Sequence, residues 1–198
     1  MEFVFLDAPH VVTKKVASKF YRDLVGEDIY TKDIEEQLIP CGRIMRSWLN
    51  SDWDVQESLI YLKKVLEKEE VFDGVLGFSQ GTIIGTLLIA ILENPSINLN
   101  LKNINDCKPI KFSIMVCGLK KIDSFCTNIY SNAIHCQSLH LIAKDDNVVS
   151  NKYSVKLLNC YKNSATHYFD FGHAIPSDEK TLNVIKHFVD SFYIKSNL

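Results

Sequence analysis

Between Val71 and Leu92 the chain switches from an extended to a helical hydrophobic pattern across a five-residue turn. Val71-Phe72-Asp73-Gly74-Val75-Leu76 is a short, mainly apolar β-rich run, and Thr82 to Leu92 is apolar almost throughout. Gly77-Phe78-Ser79-Gln80-Gly81 joins them. Such a tight connection leaves no room for side chains beside the serine, which predicts glycine on both flanks. G-x-S-x-G between a strand and a helix is the setting of a nucleophile elbow. It pushes the serine out at the carboxyl end of the strand, with a helix N-terminus behind it that favours developing negative charge. The plainer alternative is a glycine-rich βα turn with a bystander serine.

The same alternation runs through the rest of the chain. Strands are expected at Glu2–Leu6, Phe72–Leu76, Lys111–Cys117, Ser138–Ala143 and Thr166–Phe171. Helices are expected at Asp54–Glu70, Gln80–Leu92, Asn151–Tyr161 and Asp178–Tyr193. Strands that are apolar nearly throughout suit a mostly parallel sheet covered on both faces, hence a three-layer α/β/α fold. In the last helix Val184, Ile185, Phe188, Val189 and Phe192 repeat at helical spacing and define the face that packs on the sheet. Two stretches read as irregular: Val25–Asp52, with Gly26, Pro40 and Gly42, and Asn94–Lys111, with Pro95 and several asparagines. With 198 residues the chain is expected to form one domain spanning 1–198.

A formal charge of −2, with no Lys/Arg block longer than two, argues against a nucleic-acid partner. The opening Met1-Glu2-Phe3-Val4-Phe5-Leu6-Asp7 does not read as a signal peptide, and Thr82–Leu92 is too short to span a bilayer. The cysteines at 41, 107, 117, 126, 136 and 160 form no C-x-x-C pair. They are expected to be reduced thiols, mostly buried, in a protein of the cytoplasm, with the nucleus also open. No Cys/His spacing calls for zinc, so neither metal nor cofactor is expected.

A serine hydroxyl needs an imidazole to take its proton, and the imidazole needs a carboxylate to fix its tautomer. In a strand–elbow–helix fold the acid precedes the histidine, each on a loop after a strand. Leu139-His140-Leu141-Ile142-Ala143 leads into Lys144-Asp145-Asp146-Asn147, and His167-Tyr168-Phe169-Asp170-Phe171 leads into Gly172-His173-Ala174. Of the six histidines, only His173 combines loop placement with that order. Asp146 is the preferred acid, and Asp145 stays open as a turn-capping neighbour or as the acid itself.

With these residues in place, the chain resembles the FSH family of serine hydrolases, small α/β-hydrolases. The likeness rests on Phe3-Val4-Phe5-Leu6-Asp7-Ala8-Pro9, Arg46-Ser47-Trp48, Phe72 to Gly81, the acid loop and Gly172-His173-Ala174-Ile175-Pro176. The resemblance implies an α/β-hydrolase-like fold, Ser79 as nucleophile, His173 as base and then acid, and Asp146 as the orienting carboxylate. It favours Asp146 over Asp145, because the family acid lies three residues before a Val-Pro where this chain has Val149-Ser150. Family members carry a strand and a His-Gly loop before the Asp-Ala-Pro strand, and this sequence opens at that strand, as if truncated. The expected consequences are an exposed apolar edge at Glu2–Leu6 that invites self-association, and an oxyanion hole with only Gln80 N–H in view. Loss of one oxyanion donor typically costs on the order of 10²–10³ in rate, so reduced activity is expected.

The resulting expectation is a hydrolase for a small carboxylic ester or thioester, working through an acyl-enzyme. The alternative is a non-catalytic α/β-hydrolase-like binding protein that keeps the pocket. Trp48 and Trp53 have two open roles: lining an acyl pocket, or packing the Asp54 helix onto the sheet.

Overall fold

The computed structural model describes residues 2–25, 35, 44–68, 71–94, 97, 107–120 and 124–193. The elements are β1 (His10–Val12), α1 (Lys14–Val25), β2 (Met45–Ser47), α2 (Gln56–Lys68), β3 (Gly74–Phe78), α3 (Gln80–Glu93), β4 (Phe112–Val116), α4 (Ser124–Ile129), β5 (Gln137–Ala143), α5 (Asn151–Leu158), β6 (Ser164–Phe169) and α6 (Glu179–Asp190). Gly26, Pro40, Gly42, Pro95 and the asparagines from 98 to 105 lie outside the described residues.

The main sheet is four-stranded, in the order β3-β4-β5-β6, and wholly parallel. Its register runs from Gly74 opposite Phe112 to Phe78 opposite Val116. Every residue of β4 is buried, as is all of β5 beyond Gln137, so these runs stay apolar rather than alternating. Their side chains still point to alternate faces. Phe112, Ile114, Val116, Leu139, Leu141 and Ala143 pack with Val189 of α6, while Met115 joins the core shared with α2 and α3. That division is the three-layer arrangement.

Helix α3 is apolar on all sides, and every residue from Thr82 to Ile91 is buried. It lies on β3, with α2 and α4 beside it. A helix of this kind fits only where neighbours surround it, so the run that follows the serine is anchored over its whole length. Full burial of a side chain such as Leu87 contributes about 1.5–3 kcal/mol, which holds the start of the helix fixed.

The expected strand at Glu2–Leu6 does not form. Residues 2–8 carry no ladder, with Phe3 and Val4 53% exposed and Phe5 90% exposed. β-prone residues become a strand only where a neighbour offers backbone partners, and among the described residues β3 pairs with β4 alone. The first strand is instead His10–Val12, antiparallel to Met45–Ser47 in a separate pair. The segment is tied down at its far end, where Leu6 packs on the core and Ala8 is buried.

Helix α1 was not anticipated, nor was α4. The helix expected from Asp54 begins at Gln56, because Asp54 Oδ1 accepts the Gln56 N–H at 2.8 Å and caps the turn. At α6, Asp178 is the N-cap and accepts the Thr181 N–H at 2.9 Å.

Candidate active site

β3 runs straight into the turn that presents Ser79. The serine holds φ 50° and ψ −119°, outside the regions open to most L-residues. Its N–H donates to Val116 C=O at 3.0 Å, which ties the turn to the end of β4. Its carbonyl accepts from Thr82 N–H at 2.9 Å and Thr82 Oγ at 2.6 Å. Thr82 Oγ also accepts the Leu119 N–H at 3.0 Å, a second link to the segment after β4. Ser79 is the N-cap of α3 yet makes no side-chain cap, so its Oγ is committed elsewhere.

The glycines flanking the serine differ. A Cβ on Gly77 would stand 2.8 Å from Gly81 O and 2.9 Å from Thr82 Cα, both main-chain atoms, so only glycine fits. A Cβ on Gly81 would meet only Trp48 Nε1, at 3.9 Å. The expectation of a steric demand on both sides is therefore corrected: it applies at Gly77 and not at Gly81.

His173 Nε2 lies 3.0 Å from Ser79 Oγ, and His173 Nδ1 lies 2.9 Å from Asp146 Oδ2. The other Asp146 oxygen accepts N–H groups of Val148 at 2.9 Å and Val149 at 2.7 Å. Its side chain is 1% exposed and that of His173 10%. Burial pushes the Asp146 carboxyl up, but the hydrogen bonds from His173, Val149 and Val148 outweigh it and hold it below the ordinary 3.8. An ionised Asp146 keeps the proton on Nδ1, which leaves Nε2 as an acceptor facing the serine hydroxyl. Phe78 packs its ring on His173, centroids 4.9 Å apart, and limits the swing of the imidazole. Asp145 faces elsewhere: its Oδ1 accepts the N–H of Gly172, a glycine with φ 62°, at 2.9 Å.

Cys117 was not singled out as a site residue. It follows β4 directly, with φ 47°, and is fully buried, its thiol 3.8 Å from Ala174 O. Burial, then the Asp146 charge, pushes the thiol up to about 12. Cys117 Sγ, Asp146 and His173 have ligand atoms within 4.8 Å of one another. A metal there would need a thiolate and would compete with the Asp146–His173 hydrogen bond, so the donor set suits a proton-linked chain better than metal ligation. Of the other histidines, His140 is buried with Nε2 3.1 Å from Ser138 Oγ, and His167 Nε2 lies 3.2 Å from Thr181 Oγ.

Ser79 and His173 open onto a cleft of about 380 Å³ lined also by Phe20, Tyr21, Trp48 and Trp53. Trp53 stacks on Phe20 at 4.9 Å and Trp48 tilts against Tyr61 at 6.3 Å, and both indoles pack on the core. The tryptophans therefore line the cleft and pack on the core at once, Trp48 against Tyr61 of α2 and Trp53 against Phe20 of α1. Gln80 contributes twice. Its N–H stands in the first turn of α3, and its Oε1 accepts the Trp48 N–H at 2.7 Å, clamping the segment after β2 onto the turn. Among the described residues no helix is long and apolar enough to cross a membrane.

A parallel sheet with helices on both faces and a serine–histidine–aspartate chain at its carboxyl end define an α/β-hydrolase-like protein. The Arabidopsis thaliana SOBER1 structure superposes on it with a TM-score of 0.53 at 17% identity, covering 76% of each chain, a likeness of fold. The model of the serine hydrolase (FSH1) family matches residues 1–185, and the chain belongs to that family. Esterase OVCA2 of Xenopus tropicalis is 28% identical over 121 residues, 61% of this chain and 49% of that protein. Esterase OVCA2 of Danio rerio is 23% identical over 202 residues, 97% and 84%. Esterase CG5412 of Drosophila melanogaster is 23% identical over 189 residues, 89% and 58%. The chain thus spans about half the length of the Xenopus and Drosophila relatives.

Proposed function

We propose that the protein hydrolyses a carboxylic ester or thioester through Ser79, His173 and Asp146. The supporting observation is the unbroken contact chain from Asp146 Oδ2 to His173 Nδ1 at 2.9 Å and from His173 Nε2 to Ser79 Oγ at 3.0 Å. Ser79 Oγ attacks the carbonyl carbon as its proton passes to His173 Nε2, and Asp146 stabilises the imidazolium. The carbonyl π pair moves onto oxygen, where Gln80 N–H meets it. The tetrahedral intermediate collapses, the bond to the alkoxide or thiolate breaks, and Nε2–H protonates the leaving group. Water then attacks the acyl-enzyme, giving its proton to Nε2, and the acid leaves as Ser79 Oγ regains a proton. The aromatic lining of the cleft suits the acyl chain.

The test combines a fluorophosphonate serine probe with p-nitrophenyl ester and acyl-thioester turnover. Wild type should label and turn over, while Ser79→Ala and His173→Ala should do neither above background. Folded wild type that takes up no probe at Ser79 would sink the proposal in favour of a binding protein.

A further inference from the structure

The Trp48 indole lies beside the first turn of α3, in the same cleft as Ser79 and His173. Its Nε1 is 3.9 Å from the point a Cβ on Gly81 would occupy, one residue past the Gln80 amide. The residue is held from both ends of its peptide. Its N–H donates to Gln80 Oε1 at 2.7 Å, and its C=O accepts from Ser58 Oγ of α2 at 2.7 Å. Tyr61 flanks the ring. Among the described residues the indole N–H has no hydrogen-bond partner, although indole nitrogen can only donate. Arg46, another donor lining the cleft, directs its Nη1 to the Ala8 carbonyl at 3.2 Å.

We infer that Trp48 Nε1–H is the second oxyanion donor, acting beside Gln80 N–H on the carbonyl oxygen of the acyl substrate. The inference rests on the hydrolase reading above. It makes Gln80 both a donor and, through its side chain, the positioning residue for its partner. A donor held by the elbow residue itself keeps its place as charge builds on the oxygen, which is the condition for oxyanion stabilisation.

The test is Trp48→Phe, which keeps an aromatic ring and removes the N–H. It is read with an aryl ester and its thiono analogue, whose C=S accepts hydrogen bonds poorly. For the oxo ester kcat should fall about 10²-fold with KM little changed. The oxo-over-thiono preference should shrink by a similar factor. Incorporation of 3-benzothienylalanine at position 48, nearly isosteric but without the N–H, should reproduce both effects even where Trp48→Phe folds poorly. Equal loss on both esters, or a rise in KM alone, would overturn the inference and leave Trp48 as a packing wall. Absence of any Ser79-dependent turnover in wild type is a different outcome, and it removes the hydrolase reading together with this one.

Discussion

Asp145 and Asp146 are neighbours in sequence but hold different parts of one loop: Asp145 Oδ1 takes the Gly172 N–H at 2.9 Å, while Asp146 Oδ2 faces His173 Nδ1 at 2.9 Å. One fixes the backbone that carries the histidine, and the other fixes its ring.

Asp146→Asn should therefore cost about 10³–10⁴ in kcat, because an amide permits the wrong imidazole tautomer. Asp145→Asn keeps an amide oxygen that can accept the Gly172 N–H and loses only an exposed charge, so it should cost less than about tenfold. Ester turnover of the two variants, with circular dichroism to confirm folding, checks the contrast, and equal losses would contradict it.

The two elbow glycines should differ in stability. Gly77→Ala drives a methyl against main-chain atoms and should cost about 3 kcal/mol or more. Gly81→Ala meets only an ordinary contact and should stay within about 0.5 kcal/mol of wild type. Urea midpoints measure both.

His140 supplies a pH test. Burial pulls its pKa from 6.5 to about 4. Between these values the unfolded chain binds the proton and the folded chain does not, so stability is fully present above 6.5 and falls as pH drops toward 4. The loss is on the order of 3 kcal/mol at most. Asp146, also held low, adds loss only as pH falls below 3.8 and through its lowered folded value. His140→Gln should flatten the urea midpoint between pH 6.5 and 4, and an unchanged slope there would refute the assignment.

Burial pushes the Cys117 and Cys136 thiols to about 12, leaving almost no thiolate at neutral pH. Cys126 and Cys160 are buried as well, and Cys107 is half-exposed. Native alkylation followed by peptide mass spectrometry should mark Cys107 well before these four, and prompt labelling of Cys117 would contradict its burial.

Much of the sheet was legible because β4 and β5 are short, buried, mainly apolar runs and because the partners from β3 to β6 follow in chain order. Order along the chain leads to Ser79, His173 and the Asp145–Asp146 pair, each following a strand, and the family resemblance prefers Asp146 within that pair. What was not legible depends on partners. Glu2–Leu6 has strand-like residues but no neighbouring ladder. Helix α1 carries a readable period in Val16, Ala17, Phe20 and Tyr21, which the loop-like residues beyond it obscured. The role of Cys117 beside Asp146 and the clamp between Gln80 and Trp48 arise from side chains distant in sequence, and no local pattern announces them.

Ser79 sits where a chain left to itself would place glycine, at φ 50° and ψ −119°, and it leaves the start of its helix uncapped. Such backbone strain is worth about 1–3 kcal/mol. Ser79→Gly should thus raise the thermal midpoint while abolishing probe uptake. A saturation screen for heat resistance alone, blind to chemistry, would then select against the nucleophile and mark its position by the proteins that survive.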